Sequence, residues 1–75
     1  MSANQSWRVD ALLAEARRNP RRQITTSGAL RLYSRLGIAP KRTTARADLK
    51  ALARRGVLIE RGPRNQRHYA LSIDH

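Results

Sequence analysis

The spacing of apolar residues along this chain changes once, after Gly56. Before that glycine, three segments repeat apolar residues at intervals of three and four positions, the pattern of an amphipathic helix. After it, residues 57–61 and residues 67–73 are short and rich in strand-forming residues, and the second of them alternates apolar with polar positions. The chain is therefore predicted to be an α+β domain with three helices, a short strand and a C-terminal β-hairpin.

Capping and stop signals set the expected limits of the three helices. The predicted helices cover about residues 7–18, 27–36 and 43–54. Side chains that can accept a hydrogen bond from a free N–H of the first turn precede them: Ser6, then Thr26 or Ser27, then Thr43 or Thr44. Residues that stop a helix follow them: Pro20, Gly37 and Gly56.

The length of the chain limits it to one thin core. A domain of 75 residues buries only about 60–65% of the surface that its unfolded chain exposes. Residues 1–5 are expected to be a polar arm and residues 6–75 a single domain, with Ile24 forming a brief strand. The predicted core residues are Val9, Leu12, Leu13, Ala16, Ala29, Leu32, Tyr33, Leu36, Ala45, Leu49, Leu52, Ala53, Tyr69, Leu71 and Ile73.

The charge of the chain is strongly unbalanced. It has 16 Lys and Arg residues against 5 Asp and Glu residues, which gives a net charge of +11. Residues 16–47 hold nine of the cations and no acid. Such an excess repels itself unless an anionic partner neutralises it, and it exceeds what a small domain needs for solubility. Nucleic acid is the partner that this charge favours.

Catalytic and metal-binding patterns are missing from the sequence. There is no Cys, so disulfides, thiolate chemistry and Cys-containing zinc sites are excluded. The acids are scattered, His68 and His75 lack the spacing of metal ligands, and no glycine-rich phosphate loop occurs. We expect no enzyme activity, cofactor or metal. With no targeting segment or membrane span, a cytoplasmic protein without a membrane partner is expected.

Helix 2, a short turn and helix 3 have the order of a helix-turn-helix, and the hairpin would make it winged. The segment Thr44-Ala45-Arg46-Ala47-Asp48-Leu49-Lys50-Ala51-Leu52, followed by Gly56-Val57-Leu58 and Arg61, resembles the recognition helix and the start of the wing in DeoR-like and GntR-like transcription regulators. The resemblance covers residues 24–73. The turn before Thr44 is about two residues longer than in those families, and no ligand-binding domain follows, so no small-molecule effector is expected.

The resemblance implies duplex DNA as the partner, and the residues agree with it. Helix 3 has the width of the major groove, and Arg46 can form two hydrogen bonds to a guanine edge. Base contacts are predicted for Thr43, Thr44, Arg46, Ala47 and Lys50. Backbone contacts are predicted for Ser27, Arg31, Lys41 and Arg42. Wing contacts to the backbone or the minor groove are predicted for Arg61, Arg64, Asn65, Gln66 and Arg67.

The sequence leaves several functions open. A small transcription regulator is the leading prediction, and the alternatives are an architectural, excisionase-type or plasmid-maintenance DNA-binding protein, a protein-interaction module, and RNA binding. A homodimer or a cooperative assembly on DNA is expected, through helix 1 or the C-terminal strand. Trp7 is expected to lie in the core, in a dimer contact, or both, and Asp48 to pair with a nearby Arg or Lys.

Overall fold

Three helices precede two antiparallel strands in the computed structural model, which describes residues 3–38, 40–63 and 67–72. The elements are α1 (Ala3–Arg18), α2 (Thr26–Arg35), α3 (Arg42–Arg54), β1 (Leu58–Arg61) and β2 (His68–Leu71). The predicted α+β class and the predicted order of three helices followed by a hairpin are thus confirmed.

The two strands form a hairpin whose register runs from Leu58 opposite Leu71 to Arg61 opposite His68. On the free edge of β2, Ile24 exchanges two backbone hydrogen bonds of 2.7 Å with Tyr69. In place of the brief strand expected there, Ile24 forms an isolated β-bridge, which ties the segment between α1 and α2 to the sheet.

The core lies where one face of each helix meets the inner face of the hairpin. The buried apolar residues are Val9, Leu12, Ala16, Ala29, Leu32, Tyr33, Ala45, Leu49, Leu52, Val57, Leu58 and Tyr69. Leu13, Ala53 and Leu71 are partly buried and pack against this core. Ile73 lies outside the described residues. Helical and strand periodicity thus identified most of the core.

Leu36 was expected in the core and is 45% exposed. The reason is the way α2 ends: Gly37 takes a positive φ of 80° and reverses the chain. The N–H of Gly37 then donates to the carbonyl of Ser34, and the N–H of Ile38 donates to that of Tyr33. This is the Schellman ending, in which the residue after the glycine packs inward. Ile38 therefore packs against the core in place of Leu36.

All three helices begin earlier than predicted. α1 starts at Ala3, so residues 3–5 are helical and Ser6 lies within the helix. α2 is capped by Thr25, whose Oγ1 accepts a 3.0 Å hydrogen bond from the N–H of Gly28. α3 follows Lys41, which makes no side-chain capping bond, so Thr43 and Thr44 lie in the first turn. The extended Ile24 places Thr25, and not Thr26 or Ser27, at the cap of α2.

The assignment of Thr25 as the N-cap of α2 can be tested directly. Replacing a capping Thr with Ala costs about 1 kcal/mol of unfolding free energy because one N–H loses its partner. We expect Thr25→Ala to lower stability by this amount in urea unfolding. Thr26→Ala, one residue inside the helix, is the matched control and should be neutral or slightly stabilising. Equal losses in both variants would contradict the assignment.

Candidate nucleic-acid interface

The exposed side of α3 forms one wall of an open cleft of about 820 Å³, here called the interface cleft. Its α3 wall is a row of three cations four residues apart, Arg42, Arg46 and Lys50, here called the cation stripe. The other lining residues come from the start of α2, the segment before it and the hairpin: Gln23, Thr25, Thr26, Ser27, Pro63, Arg67, His68 and Tyr69. No acidic side chain is among these lining residues.

Five of the residues predicted to contact DNA meet in this cleft: Ser27, Arg42, Arg46, Lys50 and Arg67. Two of them are in direct contact, since Nη2 of Arg42 donates to Oγ of Ser27 over 3.2 Å. Thus the start of α2 and the start of α3, which are 15 residues apart in sequence, present a guanidinium and a hydroxyl at one point.

The other predicted contact residues do not line the interface cleft. Thr43, Ala47, Lys41 and Arg61 are exposed beside it, and Thr44 is half-buried. Arg31 lines a different cleft, between α1 and α2. Periodicity placed Arg31 on the outer face of α2 but could not say which neighbour that face adjoins. The predicted wing residues Arg64, Asn65 and Gln66 lie outside the described residues.

Several residues of the cleft were not singled out from the sequence. His68 belongs to no motif of the sequence, yet it is half-buried at the cleft. Gln23 lies at the cleft because its neighbour Ile24 pairs with Tyr69. This contact joins segments that are distant in sequence, so local patterns could not predict it. Thr25 was not predicted to cap α2, because the hydroxyl residues Thr26 and Ser27 that follow it were taken as the candidates.

The phenol of Tyr69 connects the α3 wall of the cleft with the hairpin wall. Burial raises the pKa of Tyr69, and the carboxylate of Glu60 raises it further. The guanidiniums of Arg67 and Arg46 act on the same pKa in the opposite direction, and both residues line the interface cleft together with Tyr69. Arg67 also holds Glu60, with Nε 2.6 Å from Oε1. The cations of α3 and of the hairpin therefore belong to one continuous surface.

A buried charge network sets the orientation of α3 behind this surface. Asp48 is fully buried. It accepts hydrogen bonds from Nε of Arg8 at 2.7 Å, from Nη2 of Arg8 at 3.3 Å and from the hydroxyl of Tyr33 at 2.7 Å. The expected pairing of Asp48 with a cation is confirmed, and it joins α1, α2 and α3 at one carboxylate.

The network fixes which side of α3 faces outward. Asp48 points inward with Ala45, Leu49 and Leu52, at the spacing of one helical face. The cation stripe lies on the exposed side of the helix. Arg8 was not singled out from the sequence, although the core position of Asp48 could have revealed that a buried carboxylate needed a partner.

The same network shifts two pKa values. Burial is the main cause that raises the pKa of Tyr33, and its hydrogen bond to Asp48 raises it further. The hydrogen bond to Asp48 also raises the pKa of Arg8. Tyr33 therefore stays protonated as the donor in this network.

Breaking the network from the Arg8 side should destabilise the fold. Removing one partner of a buried ion pair leaves an uncompensated charge and costs about 3 kcal/mol or more. We expect this loss for Arg8→Gln in urea unfolding. Arg17→Gln removes the same charge from an exposed position on α1 and should change stability by less than about 0.5 kcal/mol. Similar small effects in both variants would show that the pair contributes little.

Tyr33 predicts a loss of stability at alkaline pH. Its pKa in the folded protein lies above the ordinary value of 10.0, so the unfolded chain loses this proton first and the stabilisation declines as pH rises. Tyr33→Phe lacks that proton. The difference in unfolding free energy between wild type and Tyr33→Phe should shrink by about 1 kcal/mol from about pH 10 to pH 11. A constant difference over this range would contradict the raised pKa.

Within the described ranges, no cluster of three His, Cys, Asp or Glu side chains could hold a metal ion. In the same ranges, none of the helices has the length and apolarity needed to cross a membrane.

Comparisons with known proteins assign no family to this geometry. No protein-family model matches the chain, and neither a curated protein nor a solved structure was found to match it. The candidate interface is therefore described by the residues that form it: the cation stripe, the start of α2 and the hairpin.

Proposed function

We propose that this chain is a sequence-specific double-stranded DNA-binding protein with a winged helix-turn-helix fold, acting as a small transcription regulator. The observation that carries the proposal is the interface cleft, where the cation stripe and Arg67 converge and no lining residue is acidic. A surface of this kind attracts a polyanion, and its shape is set by a helix that fits the major groove.

The roles of the stripe follow from its position on α3. Arg42 lies in the first turn, beside Ser27 at the start of α2, so a guanidinium and a hydroxyl are available to one phosphate. Arg46 is one turn further along the exposed face and is the residue proposed to read a guanine. Lys50 follows after another turn and contacts a base or a phosphate.

The hairpin supplies the second set of contacts. Arg61 is exposed on β1, and Arg67 lies in the cleft just before β2. These cations lie where a wing would follow the DNA backbone or enter the minor groove, whose narrow regions attract Arg. Glu60 neutralises part of the charge of Arg67, so Arg61 has the larger share of the expected wing attraction.

The distribution of acids supports the same orientation. Two of the four acids within the described ranges, Asp10 and Glu15, lie on α1, and Asp48 is buried with Arg8. Apart from Glu60, which is paired with Arg67, none of these four lies on α2, on the hairpin or on the exposed face of α3. The described acids therefore neutralise little of the positive charge on the side of the cleft.

The proposal is tested by selecting bound duplexes from a random DNA pool at near-physiological salt. Convergence on a motif is expected. Binding should weaken with salt at a log–log slope near −5 if about six phosphates are contacted. An extended array of sites would favour an architectural protein over a regulator. No retention of DNA would overturn the proposal and favour an acidic protein or RNA as the partner.

Single variants separate base reading from phosphate binding. Arg46→Ala should cost about 1–3 kcal/mol of binding and relax one base position, while leaving the salt slope nearly unchanged. Arg42→Ala should weaken all sequences alike and reduce the slope by about 1. Arg54→Ala is the control, since Arg54 is exposed in the last turn of α3 and does not line the cleft. A uniform loss over all sequences for Arg46→Ala would refute its role in base reading.

A further inference from the structure

A second cleft lies between α1 and α2, here called the α1–α2 cleft. Its volume is about 420 Å³, within the range of ligand pockets. Its floor is apolar, formed by Leu12, Ala16, Ile24, Ala29 and Leu32. This volume can hold a large apolar side chain together with a polar side chain that lies next to it.

The rim of the α1–α2 cleft is basic. Arg22, Arg31 and Arg35 are exposed around the apolar floor. Glu15 is the one acid among the lining residues, and its carboxylate lies 3.8 Å from Arg18 and 3.7 Å from Arg35. The cleft therefore keeps an excess of positive charge and fits an apolar group that has a carboxylate beside it.

A surface of that chemistry lies on the other half of α1. Trp7 is 53% exposed and is the largest apolar side chain on the described surface. Asp10 is exposed one turn further along and therefore lies next to it on the helix. Of the four acids within the described ranges, Asp10 is the one with no ion pair, because Glu15, Asp48 and Glu60 each have an Arg partner.

The indole and the carboxylate complement the floor and the rim of the cleft. Burying a Trp side chain removes about 150–250 Å² from water, and an Arg over its ring adds a cation–π attraction. Asp10 would then meet the guanidiniums of the rim. We propose that Trp7 and Asp10 of one copy of this chain dock into the α1–α2 cleft of a second copy.

The contact has to form between two molecules. Trp7 and Leu12 are five residues apart on one continuous helix, which separates their directions by about 140°. Leu12 points into the core at the floor of the cleft, so Trp7 points away from the cleft of its own chain. A straight helix cannot bring these two faces together.

The two surfaces in this contact point about 140° apart around α1, so two copies cannot form both contacts at once across one two-fold axis, and the assembly is head-to-tail. An interface of this kind leaves a free Trp7 at one end and a free cleft at the other, and it continues as an open chain unless its rotation closes a ring. The α1–α2 cleft shares Gln23 and Thr25 with the interface cleft, so a docked copy lies beside that surface. The charge of +11 per chain opposes the assembly in free solution, so a weak contact is expected there.

Two single variants test the head-to-tail arrangement. Trp7→Ala removes the inserted group and keeps the cleft, whereas Arg31→Glu impairs the cleft and keeps Trp7. Because Trp7 is the one Trp of the sequence, only the Arg31→Glu protein gives a Trp signal in a mixture of the two. Adding excess Trp7→Ala protein should shift that emission to shorter wavelength, with half-saturation at about 0.1–1 mM. The mixture holds no DNA, so the result does not depend on the proposed function.

The controls separate this arrangement from others. Adding the double variant Trp7→Ala/Arg31→Glu should give no shift, while Trp7→Ala/Arg17→Glu, with the same charge change on exposed α1, should act like Trp7→Ala. Wild-type protein should increase in mass with concentration beyond a dimer in light scattering. The proposal is overturned if the Trp7→Ala protein causes no shift at these concentrations, as a symmetric Trp7–Trp7 contact or a small-molecule occupant of the cleft would give. An equal shift with the Arg31→Glu double variant would also overturn it.

Discussion

The carboxylate of Asp48 is the point at which the three helices are fixed relative to each other. Removing a charge from water is costly, and the cost is offset only when good hydrogen bonds replace the lost solvent. Here Arg8 of α1 and Tyr33 of α2 supply those bonds. Apolar contacts are not directional, whereas the hydrogen bonds of this network are satisfied only when the three helices have the observed rotation about their axes. The outward direction of the cation stripe depends on it.

Much of the fold follows from local patterns. The helix ends at Gly37 and Gly56 were predicted because each position needs a positive φ, and both glycines adopt it. Most of the buried apolar residues were predicted from spacing alone, but Val57 and Leu58 were not among the predicted core residues, and Leu36 was wrongly predicted to be buried. Leu36 is the last residue of the apolar pattern of α2. Such a residue packs in the core only if the helix continues past it, and α2 ends at Arg35.

The candidate site was predictable to a smaller extent. The outward face of α3 followed from the inward face, so Arg46 and Lys50 were identified from spacing. The partner of Asp48, the neighbours of Arg31 and the arrival of Gln23 at the cleft all depend on tertiary contacts between segments distant in sequence. Arg8 lies 40 residues before Asp48, and no local rule joins them. What a local pattern cannot supply is the identity of the element that covers each face.

The end of α3 has a consequence for how the two halves of the interface move. The N–H of Val57 donates to the carbonyl of Leu52, and the carbonyl of Val57 accepts from the N–H of Ser72. A single residue, Val57, thus belongs to the helix ending through its N–H and to the base of the hairpin through its carbonyl. Helix α3 and the hairpin are therefore held at a fixed separation. Their separation is determined during folding, so binding a partner of matching width orders no linker and loses little conformational entropy at this joint.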